Sequence, residues 1–184
     1  MITRLRPAYS PDELAKIYAR PHDAGPLVDH QFRIADTVEH GTSRGWRPWP
    51  SAADLSCGDG TILRSIRADQ KFYGDLAPGY QFQGPLEQTI HEIPYVDLFV
   101  CCETLEHLDD PLATLKLIRG TCRFLLLSTP VDAGMDENPE HYWSWSRGDV
   151  EAMLAEAGFM DWTYRTSDHR AAGYRYCFGI WLAS

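Results

Sequence analysis

No stretch of the sequence stays apolar for the roughly 18 residues that a membrane-crossing helix needs. The first basic residues, Arg4 and Arg6, lead into Pro7 and not into an apolar run, so no secretory leader is read and a cytoplasmic location without membrane partners is expected. No Cys-x-x-Cys pair occurs, which excludes the usual zinc-ribbon and thioredoxin-type arrangements. The five cysteines are odd in number and mostly sit inside apolar runs, where a thiol behaves as a small hydrophobe, so no disulfide framework is expected. Positive charge is scarce as well: 17 Lys and Arg face 26 Asp and Glu, a net charge of −9. That balance argues against a non-specific polyanion binder and makes nucleic acid a less favoured partner than a small molecule, although it leaves room for a local basic patch. Internal repeats and low-complexity tracts are also missing.

What remains is 184 residues of ordinary globular composition, enough for one core and one domain. Residues 1–50 are expected to form a helical cap. Ser10-Pro11-Asp12-Glu13 supplies a cap residue, a proline for the first turn and early acids. A second periodic stretch, Leu27 to Val38, sets Leu27, Phe32 or Ile34, Ala35 and Val38 near one face, before the Gly- and Pro-rich run 41–50.

From residue 51 to 184 short apolar runs alternate with helical stretches, the pattern of a parallel sheet. Strands are expected near 52–55, 71–74, 80–83, 96–101, 124–128, 161–166 and 174–182, and helices near 61–68, 111–121 and 146–157, the last closed by Gly158. The two final strands are separated by a short turn, so they should pair as a hairpin. The expected fold is α/β: a Rossmann-like, doubly wound, mostly parallel seven-stranded sheet with an antiparallel C-terminal strand and helices on both faces.

Asp54 ends the first of these strands, and Ser56-Cys57-Gly58-Asp59-Gly60 turns into a helix. Ligands of doubly wound sheets bind at such carboxyl ends, where small residues let backbone approach a ligand. The Gly-x-Gly-x-x-Gly fingerprint of pyrophosphate binding is absent. An acid precedes the glycines instead, which suits the cationic amino end of a phosphate-free cofactor. Asp75 ends the next strand, where a carboxylate can accept two ribose hydroxyls.

The run Ala53 to Gly60 resembles the Asp-Leu-Gly-Cys-Gly-x-Gly motif of class I S-adenosylmethionine-dependent methyltransferases, with Ser56 in place of the first glycine. Tyr73-Gly74-Asp75-Leu76 resembles the family's ribose-binding strand end. Gly84-Pro85-Leu86-Glu87 stands where the family often has Gly-Asp-Ala-Glu, so the acid that meets the adenine amino group is missing. The resemblance implies that S-adenosylmethionine lies against Asp54, Ser56, Cys57, Gly58, Gly60, Asp75, Leu76, Leu86 and Cys102.

After the fourth strand comes Cys102-Glu103-Thr104-Leu105-Glu106-His107-Leu108-Asp109-Asp110-Pro111. If this segment turns helically, Glu103, Glu106 and His107 project from one face at spacings i, i+3 and i+4. His141, just before a helix near Ser146, can reach the same edge. Two carboxylates with two imidazoles form a mixed oxygen and nitrogen set suited to Mn, Fe, Co or Zn, and acid-rich sets also take Mg. Such an ion would lower a substrate hydroxyl's pKa and aim its oxygen.

Small-RNA terminal 2'-O-methyltransferases are similar in carrying Glu-x-x-Glu-His and a later His before an aromatic-Ser/Thr-Arg, here Glu103, Glu106, His107 and His141 with Trp145-Ser146-Arg147. Ubiquinone-type O-methyltransferases share the first part. The alternative without metal has Glu106 and His107 holding the substrate loop and His107 or His141 acting as general base. Trp143 and Trp145 are expected in the core, although they could also line an acceptor pocket. The segments 18–23 and 29–33 either close over the cofactor or substrate or are exposed helical charge. Three functions follow: O-methylation of a small-molecule hydroxyl, metal-assisted methylation of an RNA or nucleotide end, and a non-catalytic cofactor-binding module. So short a chain leaves the pocket open to completion by a second copy in a homodimer.

Overall fold

In the computed structural model, residues 1–22, 28–43, 45, 47–132, 134 and 136–184 are described, with backbone alone at residues 28 and 29. Leu27, Asp23 and the Asp29 side chain therefore lie outside the described residues. The chain opens with strand β1 (Thr3–Arg4) and helix α1 (Pro11–Ile17). The expected start of α1 is present: Pro11 opens it, and Glu13 Oε2 accepts the Ser10 amide at 2.8 Å and the Ser10 hydroxyl at 2.7 Å. Helix α2 spans Val28–Thr42.

Then follow β2 (Trp49–Asp54), α3 (Thr61–Ser65), β3 (Ala68–Asp75), β4 (Phe82–Gln83), α4 (Leu86–Thr89), β5 (Val96–Cys102), α5 (Pro111–Thr121), β6 (Cys122–Val131), β7 (Trp143–Ser144), α6 (Arg147–Glu156), β8 (Trp162–Asp168) and β9 (Cys177–Ala183). Seven strands form one sheet in the order β4-β3-β2-β5-β6-β9-β8. Only β9 runs against its neighbours β6 and β8. The expected mostly parallel sheet with a reversed C-terminal strand and a closing hairpin is thus present.

Lengths differ where local signals are weak. Helix α3 ends at Ser65, because the chain from Ala68 already pairs with β2 starting at Trp49. The third expected strand shrinks to Phe82–Gln83, which pairs with Gly74 and Asp75 alone. Alternation along the central strands divides the core. Phe99, Cys101, Leu125, Leu127 and Trp181 face α4, α5 and α6, while Leu98, Val100, Leu126 and Ile180 pack with Leu63 and Ile66 on the other face.

Helix α2 covers that second face in an unexpected orientation. Of the expected apolar face, Ile34 and Val38 are half-buried while Phe32 and Ala35 are exposed, and Arg33, Thr37 and His40 are buried. The cause is what this helix covers: His40 Nε2 meets the Thr163 carbonyl at 3.2 Å, and Arg33 faces a cavity, so its inward stripe has polar work that apolar periodicity does not reveal.

The connection from β2 to β3 and β4 runs one way along the sheet, and β5 begins the other way. Ligand sites of open α/β sheets lie at this switch, beyond the carboxyl ends of the strands. The amino-terminal segment crosses the same edge. Thr3 and Arg4 pair with Ser144 and Trp143, and the Leu5 amide donates to the Tyr142 carbonyl at 2.8 Å.

Candidate active site

A cavity of about 750 Å³ opens at the switch, within the usual range for small-molecule sites. Its walls include the loop after β2, Asp75, Leu86, the segment after β5 and His141, and residues 8–22 roof it.

On one side the loop after β2 is shaped by its own polar groups. Gly58 and Gly60 take left-handed φ values of 53° and 79°. Such values suit glycine because a Cβ would crowd the backbone. A side chain at Gly58 would also lie 3.0 Å from the His22 carbonyl oxygen, so the amino-terminal segment crosses directly above the loop. Asp75 fixes the loop from β3: its Oδ2 accepts the Gly58 amide at 2.7 Å and its Oδ1 accepts the Ala77 amide at 2.8 Å. Each oxygen keeps acceptor capacity for a ligand hydroxyl.

Asp54 is 3% exposed and accepts the Ser56 amide at 3.1 Å. Burial, with the nearby Asp75 charge adding to it, pushes its carboxyl up to about 8 against the Ser56 bond. Ser56, the departure from glycine, exchanges a 2.8 Å hydrogen bond with the Thr104 hydroxyl, tying the loop to the segment after β5. Cys57, Leu76, Leu86 and Cys102 all line the cavity. The Cys102 thiol is buried and lies 3.8 Å from the Leu126 carbonyl.

On the other side the expected helical face breaks at its first residue. Glu103 takes φ 53°, and only residues Leu105–His107 form a single 3-10 turn. Glu103 therefore departs from the set: its Oε1 accepts the Ser128 hydroxyl at 3.1 Å and its Oε2 lies 4.0 Å from Arg33 Nε. Glu106, His107 and His141 do converge, each with a ligating atom within 4.8 Å of the others.

Glu106 is 1% exposed, and its Oε2 accepts the Thr129 hydroxyl at 3.0 Å. Its Oε1 is buried with no hydrogen-bond partner among the described residues and lies 3.9 Å from His107 Nε2. Burial, followed by the Glu103 charge, holds this carboxyl well above the ordinary range.

The two histidines differ in a way that sequence does not show. His107 Nδ1 lies 2.9 Å from the Glu140 carbonyl oxygen, which can only accept, so Nδ1 carries the hydrogen and Nε2 keeps its lone pair. Burial, and then His141, depress His107 to about 3, so its ring is neutral. His141 has both nitrogens engaged. Nδ1 donates to Asp136 Oδ2 at 2.6 Å, and Nε2 receives the Asn138 amide at 3.0 Å. The Asn138 orientation follows from its oxygen, which accepts the Glu140 amide at 3.0 Å. Burial raises Asp136, but the Asn138 amide, His141 and the Tyr176 hydroxyl overcome it and hold the carboxyl low.

Several contributors were not singled out from sequence. Asp136, Asn138 and Glu140 form the loop that sets both imidazoles, and their spacing ahead of His141 in a polar loop was the available signal. Arg6 gave none: its guanidinium holds the Asp136 carbonyl at 2.8 Å and the Asn138 carbonyl as well. Tyr18, stacked on His22 at 4.7 Å between ring centres, lines the cavity, as do Arg20, His30 and Arg33. These residues of the two segments thus line the cavity, while Gln31 and Phe32 are exposed. Trp145 is core, with Nε1 donating to Thr129 at 3.2 Å, and Trp143 donates to the Leu108 carbonyl at 2.8 Å.

No protein-family model and no curated protein matches this sequence. Solved structures match its fold. The 1,6-didemethyltoxoflavin-N1-methyltransferase of Burkholderia thailandensis, with its substrate and S-adenosylhomocysteine bound, aligns with a TM-score of 0.69 and 14% identity over 100% of this chain and 94% of that one. The N-methyltransferase NodS of Bradyrhizobium japonicum WM9, in complex with S-adenosylhomocysteine, gives 0.66 and 13% over 94% and 97%. Magnesium protoporphyrin IX methyltransferase of Synechocystis PCC 6803 gives 0.64 and 17% over 94% and 93%. The fold of this chain is that of the class I S-adenosylmethionine-dependent methyltransferases.

Proposed function

We propose that this chain is an S-adenosylmethionine-dependent methyltransferase acting on a hydroxyl of a small molecule. The donor supplies a methyl group on a positively charged sulfur, to be taken by a nucleophile approaching in line. Asp54 fits the donor's ammonium, Asp75 its ribose hydroxyls, and the Gly58 loop its close approach. The adenine side carries Leu86 and no acid, so apolar and backbone contacts serve there.

One observation carries the choice of acceptor chemistry: the free Nε2 lone pair of a neutral His107, aimed by the Glu140 carbonyl. An acceptor O–H placed against Nε2 is oriented with its oxygen lone pair toward the methyl carbon. As the new carbon–oxygen bond forms and the carbon–sulfur electrons return to sulfur, the hydroxyl proton becomes strongly acidic. A weak base is then enough, and Nε2 takes the proton. Orientation supplies much of the remaining rate. The roof made by residues 8–22 favours a small acceptor over a polymer.

Calorimetric titration with S-adenosylmethionine and S-adenosylhomocysteine tests the donor. Mass spectrometry of hydroxyl compounds incubated with deuteromethyl-labelled S-adenosylmethionine tests the acceptor. Failure to bind either cofactor form eliminates the reading, and methyl transfer confined to amines eliminates its hydroxyl half.

A second reading places a divalent ion, manganese or magnesium, on Glu106, His107 and His141. It is favoured by the partnerless Oε1 of Glu106 beside the two imidazoles. His141 joins only if Asn138 releases Nε2. Saturable manganese binding that is lost in Glu106→Gln supports it, and turnover unchanged after chelation eliminates it.

A further inference from the structure

Ser56 stands where the motif it resembles has its first glycine, and its side chain holds a partner that glycine could not. Ser56 Oγ lies 2.8 Å from Thr104 Oγ1, and the Thr104 hydroxyl also reaches the Cys102 carbonyl at 3.1 Å. Beyond the ladder that pairs β2 with β5, no other hydrogen bond joins the loop after β2 to the segment after β5 among the described residues. Ser56 does not have the left-handed backbone of Gly58 and Gly60, so nothing in the loop's path demands glycine at this point.

Thr104 is the residue on which the His107 turn rests. The His107 amide donates to the Thr104 carbonyl at 3.0 Å and closes the single 3-10 turn of Leu105–His107. One such turn has little stability of its own, because closing it fixes several backbone angles for one bond. It also follows Glu103, whose φ of 53° is unfavourable for a residue with a side chain. The position of His107 therefore depends on what grips the turn from outside. On the far side, the Tyr142 amide donates to the Glu106 carbonyl at 2.7 Å, and the Thr129 hydroxyl donates to Glu106 Oε2 at 3.0 Å. On the side of the loop the grip is Ser56 on Thr104, and Thr104 is buried, where water competes little for the bond.

We propose that Ser56 is a positioning residue: through Thr104 it ties the turn that carries His107 to the donor loop, so that donor binding steadies His107. This rests on the methyl-transfer reading above, in which the loop holds the donor and His107 Nε2 takes the acceptor proton. Donor and proton acceptor sit on segments that leave different strands, and a misplacement of about 1 Å between reacting groups costs about 100-fold in rate. A hydroxyl pair spanning the two segments fixes their separation at the point where the sheet no longer does.

The test uses the full chain with S-adenosylhomocysteine and needs no acceptor. Amide hydrogen exchange, read by NMR, follows local opening at Gly58 in the loop and at His107 in the turn. In wild type, saturating S-adenosylhomocysteine is expected to slow both amides about ten-fold or more, because opening either site weakens its binding. In Ser56→Ala and in Thr104→Val the slowing at Gly58 should remain, while that at His107 falls to less than about two-fold. Thr104→Ser, which keeps the hydroxyl, should restore it. Should one of the two disruptive variants fail to fold by circular dichroism, the other carries the comparison, since each removes the same bond from opposite ends.

If S-adenosylhomocysteine leaves His107 exchange unchanged in wild type, or slows it equally in wild type, Ser56→Ala and Thr104→Val, the inference is overturned and the methyl-transfer reading stands. Variants that speed exchange at both amides alike while keeping both S-adenosylhomocysteine effects overturn it as well, because Ser56 then only stabilises the fold. Wild type that does not bind S-adenosylhomocysteine overturns the reading beneath and the inference with it.

Discussion

The bond between His107 Nδ1 and the Glu140 carbonyl, 2.9 Å long, decides which nitrogen of the ring faces the cavity. His141 stands across it, edge to face at 4.8 Å, with both of its own nitrogens committed to Asp136 and Asn138. One imidazole keeps a nitrogen lone pair uncommitted, and the other has both nitrogens hydrogen-bonded.

Replacing His107 by Ala is expected to lower turnover about 100-fold or more, the usual scale for a lost proton acceptor. Affinity for S-adenosylhomocysteine should stay near wild type, since the contacts of the ring are with Glu140, Glu106 and His141. Single-turnover kinetics beside calorimetry separates the two. A collapse of cofactor binding with unchanged chemistry would contradict the assignment.

Asp54 predicts a proton leaving on cofactor binding. With its carboxyl near 8, most of the free protein carries Asp54 protonated at pH 7. An ammonium bound there favours the carboxylate, so titrations in buffers of different ionisation enthalpy should report release of a fraction of a proton. In Asp54→Asn that release disappears and affinity falls about ten- to 100-fold, the range of a hydrogen bond to a charged group.

The same two groups set opposite slopes in stability against pH. A carboxyl raised from 3.8 to about 8 on folding contributes stability that is full below about 4 and is lost as pH rises toward 8. A histidine depressed from 6.5 to about 3 does the reverse: its contribution is full above 6.5 and is lost as pH falls toward 3. Melting temperatures of cofactor-free Asp54→Asn should therefore gain on wild type from pH 5 to 8, and those of His107→Asn should gain from pH 6 to 4. Parallel curves for all three proteins would contradict both shifts.

Gly58→Ala should destabilise the fold by about 1–2 kcal/mol through its left-handed backbone, before the contact with His22 is counted. Because that contact is with backbone, the amino-terminal segment must move aside. Denaturant unfolding gives the first effect, and weaker S-adenosylhomocysteine binding gives the second.

Arg6 is a positioning residue for the loop of His141. Arg6→Ala removes the donor from two carbonyls, at Asp136 and Asn138, and should reduce turnover about ten-fold while leaving cofactor affinity intact. Arg6→Lys should recover part of the loss. An unchanged rate in Arg6→Ala would separate this loop from the chemistry.

Most of the sheet was legible because its central strands are buried on both faces and read as apolar runs, as in Val96–Cys102 and Cys122–Val131. The loop around Asp54 and Gly58 was legible because left-handed turns leave glycine in the sequence. Glu103 was misplaced because nothing in Glu-x-x-Glu-His announces a positive φ at its first residue. The buried face of α2 was misjudged for a related reason: a helix that roofs a cavity turns Arg33 inward, and apolar periodicity cannot register that. The unlike states of His107 and His141 depend on carbonyl and amide partners brought by a loop far away in the chain, and no local pattern encodes them.

The pairing of Thr3 and Arg4 with Ser144 and Trp143 also bears on the order of folding. Residues 3 and 4 pair with a strand far along the chain, and joining them closes a loop of most of its length, an entropically slow step with little local help. The parallel sheet can assemble without it. During refolding, tryptophan burial in the core should therefore precede the recovery of catalysis, with the interval set by docking of the amino-terminal strand.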